Sequence, residues 1–153
     1  MPRPTTALII DDKAHVRAYF SEILRELNVV TEWEATDGQQ GLTLALQHRP
    51  GLVLLEINLP VLGGIEVLTQ LQVEAPEVPV VIVTSQNILQ TVRDAQRLGA
   101  MAYLLKHSPR HELSASLSDV LDYLENPEDE DAIDHEAATE DSDDSEVDGK
   151  TRS

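Results

Sequence analysis

Leu52-Val-Leu-Leu55 is a run of four apolar residues that is followed at once by the acidic residue Glu56. Three further apolar runs of similar length occur along the chain: Ala7-Leu-Ile-Ile10, Val80-Val-Ile-Val83 and Ala102-Tyr-Leu-Leu105. Continuous apolar runs of this length are typical of strands that are buried on both faces of a sheet. The sequence therefore predicts four buried strands.

The segments between these runs have other periods. Val29-Val-Thr-Glu-Trp-Glu34 alternates between two faces, one of which carries both glutamates, and this pattern predicts a strand at the edge of the sheet. Apolar residues from Val16 to Leu27 and from Leu113 to Leu124 recur at helical spacing. They predict the first and the last of a set of amphipathic helices.

Turn and cap residues predict the ends of the other helices. Thr36-Asp-Gly-Gln39 fits a capping box before the second helix. The third helix is predicted over residues 65–74 and the fourth over residues 88–98, where Gly99 ends it. Ser108-Pro109 predicts the cap of the fifth helix.

Strands and helices thus alternate five times along the chain. This alternation predicts a parallel sheet that is covered by helices on both faces through right-handed crossovers. The expected fold class is α/β, a flavodoxin-like doubly wound (βα)5 sandwich with strand order 2-1-3-4-5. Ligands of such sheets bind beyond the carboxyl ends of the strands, near the point where the strand order reverses.

Length and charge divide the chain into two parts. Residues 1–124 suit one domain of ordinary size. Residues 125–153 carry 13 acidic residues against Lys150 and Arg152, a charge of −11 out of a total of −17, which leaves −6 for residues 1–124. This acidic tail has no apolar period, so we expect it to be disordered, as a solubilising segment or as a competitor for a basic protein surface.

The composition also excludes several classes of site and partner. Clustered Lys and Arg are absent, which argues against binding to nucleic acid and to anionic membranes. Without cysteine there are no disulfides and no thiol nucleophiles. The N-terminus lacks an apolar secretory core, and no apolar run approaches the roughly 18 residues that span a bilayer. We therefore expect a cytoplasmic protein.

Polar residues follow each of the four buried strands, as Asp11-Asp12, Glu56, Thr84-Ser85 and Lys106. Because the carboxyl ends of parallel strands share one edge of a sheet, we expect these residues to meet in one pocket. Each has an ordinary explanation as well, since acids and hydroxyls cap helices and a lysine after a strand reaches the surface. Their joint arrangement favours a functional site.

Three carboxylates in one pocket repel one another unless a cation compensates them. Lys106 supplies one positive charge, and Mg²⁺ is the expected source of the rest, held by the acids and a backbone carbonyl. A metal ion, a lysine and a hydroxyl around carboxylates are the groups that phosphoryl transfer requires.

Five segments carry a more specific signal: Ile9-Ile-Asp-Asp12, Leu54-Leu-Glu-Ile-Asn-Leu-Pro-Val-Leu-Gly-Gly64, Val83-Thr-Ser85, Leu98-Gly-Ala100 and Tyr103-Leu-Leu-Lys106. They resemble the motifs of response-regulator receiver domains of two-component signalling, of the single-domain chemotaxis type, and the resemblance covers residues 5–124. It implies a metal site formed by Asp11, Asp12, Glu56 and Asn58. It implies switch and phosphate-binding residues at Thr84, Ser85, Tyr103 and Lys106.

Two residues depart from the family pattern. The family's phosphate acceptor is an aspartate, whereas this chain has Glu56. His107 stands where the family usually has a proline with a cis bond, so the loop after the fifth strand is expected to differ.

Glu56 leaves three interpretations open. Its extra methylene moves the carboxylate by about 1 Å, and a misplacement of that size costs on the order of 100-fold in a positioned reaction. Glu56 then imitates the phosphorylated state, or it pairs with Lys106 in a static pseudo-receiver adaptor, or it still accepts phosphate. The first interpretation is preferred because the longer side chain extends toward the hydroxyl and the lysine.

The expected function is binding to signalling proteins, either a histidine kinase or a downstream target, by a monomer or weak homodimer. By the resemblance, the contact surface is the face of the fourth helix, fifth strand and fifth helix. An enzymatic role is not expected: phosphatases of the haloacid-dehalogenase kind need Asp-x-Asp after the first strand, and this chain has Asp11-Asp12-Lys13. Phosphate loops and Gly-x-Ser-x-Gly motifs are also absent from the sequence.

Overall fold

The computed structural model describes residues 2–127, and its centre is a parallel five-stranded sheet in the order β2-β1-β3-β4-β5. The strands are β1 Thr6–Ile10, β2 Val30–Ala35, β3 Leu52–Leu55, β4 Val80–Thr84 and β5 Ala102–Leu105. The helices are α1 Ala14–Glu26, α2 Gly38–His48, α3 Gly64–Glu74, α4 Leu89–Arg97 and α5 Arg110–Glu125. The predicted fold class and strand order are confirmed.

Two apolar layers hold the helices against the two faces of the sheet. One layer joins α1 and α5 to the sheet through residues such as Phe20, Leu24 and Leu117. The other joins α2, α3 and α4 through residues such as Leu42 and Leu68. The strands β1, β3 and β4 are buried at almost every position because they contribute side chains to both layers, as their continuous apolar runs predicted. Strand β2 is the partly exposed edge that its alternating pattern predicted.

Two predicted caps are formed differently from the expectation. The N-cap of α2 is Asp37, whose carboxylate accepts a hydrogen bond from the Gln40 N–H over 2.8 Å. The predicted capping box, Thr36 to Gln39, is therefore shifted by one residue, because Gln40 turns its side-chain oxygen back to the Thr36 N–H at 2.9 Å. Helix α5 begins after Pro109 without a side-chain cap, so Ser108-Pro109 marks the start of the helix but Ser108 does not cap it.

The chain packs very closely where β3 leads into α3. A Cβ atom on Gly64 would lie 2.2 Å from the Glu56 carbonyl oxygen, so only glycine allows α3 to begin this near the end of β3. The Gly64 N–H also donates to the Ile57 carbonyl over 2.9 Å. These contacts fix the backbone at Glu56.

The loop between β3 and α3 contains a strained residue. Val61 has φ of 71°, and the Leu62 N–H donates to the Pro60 carbonyl over 2.8 Å, so Val61 is the centre of a tight three-residue turn. Its side chain is 80% exposed and gains nothing from burial. A β-branched residue is unfavourable in this backbone conformation.

The predicted tail, residues 125–153, lies outside the described residues from position 128 onward. Among residues 2–127, none of the helices has the length and apolar content needed to cross a membrane.

Replacing Val61 with glycine is expected to stabilise the fold by about 1 kcal/mol, because glycine adopts the positive φ without strain. Urea unfolding followed by circular dichroism measures the change. Val73→Gly is the matched control, since Val73 is 79% exposed but lies within α3. There the same substitution should destabilise by about 0.3 kcal/mol, because glycine is less favourable than valine within a helix. If Val61→Gly and Val73→Gly change the unfolding free energy in the same direction, Val61 is not strained.

Candidate functional site

Four strand ends bring their polar side chains together at one edge of the sheet. Asp11 follows β1, Glu56 follows β3 and Thr84 ends β4, and these three residues are 2%, 4% and 0% exposed. Lys106 follows β5, and its side chain is 13% exposed. The predicted meeting of acids, hydroxyl and ammonium in one pocket is therefore present in the structure.

The Glu56 carboxylate is held by four donors. Its Oε2 atom accepts hydrogen bonds from the Thr84 hydroxyl at 2.5 Å, the Ile57 N–H at 2.7 Å and the Asn58 N–H at 3.1 Å. Its Oε1 atom accepts a hydrogen bond from the Lys106 ammonium. A buried carboxylate requires such compensation, because its charge is costly to remove from water.

Lys106 lies between two buried carboxylates. Its Nζ atom contacts Asp11 Oδ2 at 2.8 Å and also pairs with Glu56. Burial by itself lowers the pKa of the Lys106 ammonium, but the hydrogen bonds and charges of Asp11 and Glu56 outweigh burial and raise the pKa above its ordinary value. Lys106 therefore stays charged at neutral pH.

Asp11 is positioned by the backbone of Lys13, the residue before α1, and by the side chain of Arg17 in α1. Its Oδ1 atom accepts a hydrogen bond from the Lys13 N–H at 2.9 Å. The Arg17 guanidinium donates to the Asp11 carbonyl at 2.8 Å and pairs with Glu34 on β2 at 2.7 Å. Sequence reasoning missed Arg17, since nothing in its spacing distinguishes it from the other arginines of helices.

Three of the predicted residues lie at the rim of the pocket. The Asp12 side chain is 36% exposed, and its nearest ion-pair contact is Lys13 Nζ at 3.6 Å. Asn58 and Ser85 are exposed, and the contribution of Asn58 to the pocket is its backbone N–H. His107 is also exposed, and it lines an open cleft of about 520 Å³ next to Lys106.

Tyr103 lies beside the pocket on β5. Its hydroxyl donates to the Gln86 carbonyl over 3.0 Å and so ties β5 to the loop after β4. Burial, and to a smaller extent the charge of Glu56, raises the pKa of Tyr103 to about 12. The hydroxyl is therefore a stable donor at neutral pH.

The oxygens of the site do not fit a divalent cation in this arrangement. Both oxygens of Glu56 and both oxygens of Asp11 already accept hydrogen bonds or ion pairs. Among residues 2–127, His, Asp and Glu side chains form no group of three that could hold a metal ion. The metal set of Asp11, Asp12, Glu56 and Asn58 stays a prediction.

Comparison with known proteins identifies the family. The profile described as "Response regulator receiver domain" matches residues 7–118. This chain belongs to that family. Protein CcdB of Bacillus subtilis is similar to it, with 34% identity over 102 residues that cover 67% of this chain and 85% of that protein. Sporulation initiation phosphotransferase F of Bacillus subtilis is 31% identical over 99 residues, which cover 65% of this chain and 79% of that protein.

A solved structure supports the fold of this receiver. It is a CheX–CheY–BeF3–Mg²⁺ complex from Borrelia burgdorferi, with a TM-score of 0.69 and 22% identity, and the match covers 72% of this chain and 84% of that chain. The resemblance found in the sequence is confirmed at the level of the family. Membership of the family supports a role in two-component signalling.

The hydrogen bond between Thr84 and Glu56 is expected to contribute measurably to stability. Thr84→Val should destabilise the protein by about 2 kcal/mol, because a buried carboxylate loses a donor. In a Glu56→Gln background the same change should cost only about 1 kcal/mol, since the acceptor is then neutral. Urea unfolding of the four proteins measures the coupling.

A matched control for this cycle is Thr69→Val, because the Thr69 hydroxyl donates to the Ile65 carbonyl on the exposed face of α3. It should change stability by less than about 0.5 kcal/mol in either background. If Thr84→Val lowers the unfolding free energy by the same amount in the wild type and in Glu56→Gln, the hydrogen bond is not charge-assisted.

The raised pKa of Tyr103 predicts a loss of stability at alkaline pH. Its pKa is about 12 in the folded protein against 10.0 ordinarily, so the folded state holds the proton more tightly. The stabilisation is complete below pH 10 and is lost as the pH rises toward 12. The difference in unfolding free energy between wild type and Tyr103→Phe, measured from pH 9 to about 12, should show this trend. A difference that does not vary with pH would contradict it.

Proposed function

We propose that this receiver transmits a two-component signal by binding other proteins, with Glu56 standing in for a phosphorylated aspartate. The observation that supports this proposal is that the Glu56 carboxylate bonds to the Thr84 hydroxyl and the Lys106 ammonium at the same time. By the resemblance to the family, these two residues are the switch hydroxyl and the phosphate-binding lysine.

The length of the glutamate side chain explains why it reaches both groups. The backbone at Glu56 is fixed by the close approach of Gly64, so the extra methylene extends the carboxylate outward from β3. The imitation is partial, because a carboxylate carries one negative charge whereas a phosphoryl group carries about −1.5 to −2 and three acceptor oxygens. Some of the inactive form should remain in solution.

The energy of these contacts is large enough to change the dominant form. Hydrogen bonds that involve a charged group contribute about 1.5–3 kcal/mol each. Since about 1.4 kcal/mol is a tenfold change in an equilibrium constant, a contact made only in the active form converts a minor population into a major one. No phosphoryl donor is needed for this shift.

The partner in this proposal is a signalling protein, either a histidine kinase or a downstream target, in the cytoplasm. The proposed contact surface is the face of α4, β5 and α5. Ile88 and Leu89, at the start of α4, are 53% and 54% exposed and offer apolar area at its edge. Tyr103 links this face to the pocket through its hydrogen bond to the Gln86 carbonyl.

Phosphorylation separates the proposal from true phosphate acceptance. Incubation with acetyl phosphate and Mg²⁺ should add no phosphate to the wild type, because the Glu56 carboxylate is misplaced and already bonded. Glu56→Asp should gain a mass increase of one phosphate. Intact-protein mass spectrometry measures both, and clear labelling of the wild type would contradict the proposal.

Conformation separates the proposal from a static adaptor. Glu56→Asp treated with beryllium fluoride should give amide NMR shifts in the loop after β4 that resemble those of the untreated wild type. Glu56→Gln keeps the side-chain length without the charge, and its shifts should resemble those of untreated Glu56→Asp. If wild type and Glu56→Gln share these shifts, Glu56 is a static element.

Affinity capture with wild type and Glu56→Gln side by side then identifies the partner. A protein retained by the wild type and lost with Glu56→Gln is the expected result. Equal retention by both would favour the static adaptor, since binding would not depend on the charge at position 56.

A further inference from the structure

We infer that Lys106 replaces a divalent cation in this receiver, so that the acidic pocket stays assembled without Mg²⁺. This inference goes beyond the proposed function, because it concerns what neutralises the acids and holds whether or not Glu56 imitates a phosphorylated residue. It rests on the contacts that the two buried carboxylates already make.

The surroundings of the Glu56 carboxylate leave no room for a cation. A cation that bound Glu56 Oε2 would have to approach an oxygen that already accepts from the Thr84 hydroxyl and from the Ile57 and Asn58 N–H groups. The positive ends of three dipoles therefore point at the same atom. The other oxygen faces the Lys106 ammonium, and like charges at a distance of a few ångströms repel strongly in a buried site.

Both carboxylate oxygens of Asp11 are also engaged. Its Oδ2 atom is 2.8 Å from Lys106 Nζ, and its Oδ1 atom accepts the Lys13 N–H at 2.9 Å. The side chain is 3% exposed, so it has little room to turn toward a new ligand. A metal ion would have to displace the ammonium to use this carboxylate.

Few possible metal ligands remain at the rim of the pocket. The Asp12 carboxylate lies at the rim and faces Lys13 at 3.6 Å, and Asn58 directs its N–H toward Glu56. Mg²⁺ requires near-ideal octahedral geometry and gives up its water reluctantly, so one exposed carboxylate holds it weakly. The ligands that remain are therefore too few to bind Mg²⁺ tightly.

The charges of the two buried acids are balanced without a metal ion. Asp11 and Glu56 contribute two negative charges and Lys106 contributes one positive charge. The remaining charge is distributed over backbone N–H groups, which stabilise ionised carboxylates effectively: Ile57 and Asn58 donate to Glu56, and Lys13 donates to Asp11. The pocket is thus compensated by the chain itself.

The test is a titration of the full chain with Mg²⁺, followed by amide NMR shifts of residues around the pocket. The wild type should show no saturable shift up to about 10 mM Mg²⁺, because the exposed Asp12 carboxylate alone holds the ion only weakly. Lys106→Met removes the ammonium at similar side-chain length and leaves two uncompensated buried carboxylates. It should bind Mg²⁺ at least about tenfold more tightly than the wild type.

Lys13→Met is the matched control, because it removes one exposed positive charge that contacts Asp12 but neither buried acid. It should change the affinity for Mg²⁺ by less than about threefold. A gain equal to that of Lys106→Met would show a general effect of charge and would overturn the inference. Saturable binding of Mg²⁺ by the wild type below about 10 mM would overturn it as well.

A second variant covers the case in which Lys106→Met does not fold. Lys106→Gln keeps a polar side chain but removes the ammonium charge, and it should likewise gain saturable Mg²⁺ binding. If neither folded variant binds Mg²⁺ more tightly than the wild type, Lys106 is not what excludes the metal and the inference fails. These outcomes do not test whether Glu56 imitates a phosphorylated aspartate. That question is decided by the NMR spectra of the wild type and Glu56→Gln in the absence of metal.

Discussion

The ion triad of Asp11, Lys106 and Glu56 is the interaction on which the site depends. It joins the ends of β1, β3 and β5, strands that do not all lie side by side in the sheet. An isolated charge among these apolar strands would cost several kcal/mol, so each of the three groups is tolerated only because the others are present. The triad therefore constrains the strand ends to one relative position.

The rest of the pocket follows from that constraint. Because Lys106 fixes one oxygen of Glu56, the other oxygen is directed toward β4, where the Thr84 hydroxyl meets it. Thr84 also accepts the Gln86 N–H at 3.4 Å, and Tyr103 donates to the Gln86 carbonyl. The charge at position 56 is thus connected by hydrogen bonds to the loop that leads into α4. A change in that charge has a physical route to the proposed contact surface.

Much of this arrangement could be predicted from the sequence, and the reason is physical. Continuous apolar runs identify β1, β3 and β4 because both faces of these strands are buried. The run of β5 also identifies a strand, but the prediction that it is buried on both faces is wrong, because β5 lies at the edge of the sheet and Tyr103 and Leu105 are only partly buried. Parallel pairing then requires the polar residues after these strands to share an edge. Topology thus predicts the meeting of Asp11, Glu56, Thr84 and Lys106, although it does not exclude Asp12 and Ser85, which lie at the rim. The hydrogen bonds of the pocket cannot be predicted in this way. Which donor each oxygen of Glu56 and Asp11 bonds, whether Lys106, Thr84 or a backbone N–H, depends on side-chain rotamers. The cap at Asp37 and the contact of Arg17 with the Asp11 carbonyl are missed for the same reason.

In the proposed function Glu56 occupies the position of a phospho-accepting aspartate, and the fixed backbone at Glu56 determines where the longer side chain reaches. If the backbone could retreat, the additional methylene would be absorbed and the carboxylate would lie where an aspartate carboxylate lies. Gly64 prevents this, because α3 begins in contact with the Glu56 carbonyl and even a Cβ atom on Gly64 would have no space. The side chain therefore extends toward Thr84 and Lys106, and its two oxygens meet the hydroxyl and the ammonium to which the proposed function assigns the switch and phosphate-binding roles. Because the junction of β3 and α3 is this tight, one additional methylene at position 56 is expected to change which groups the carboxylate bonds.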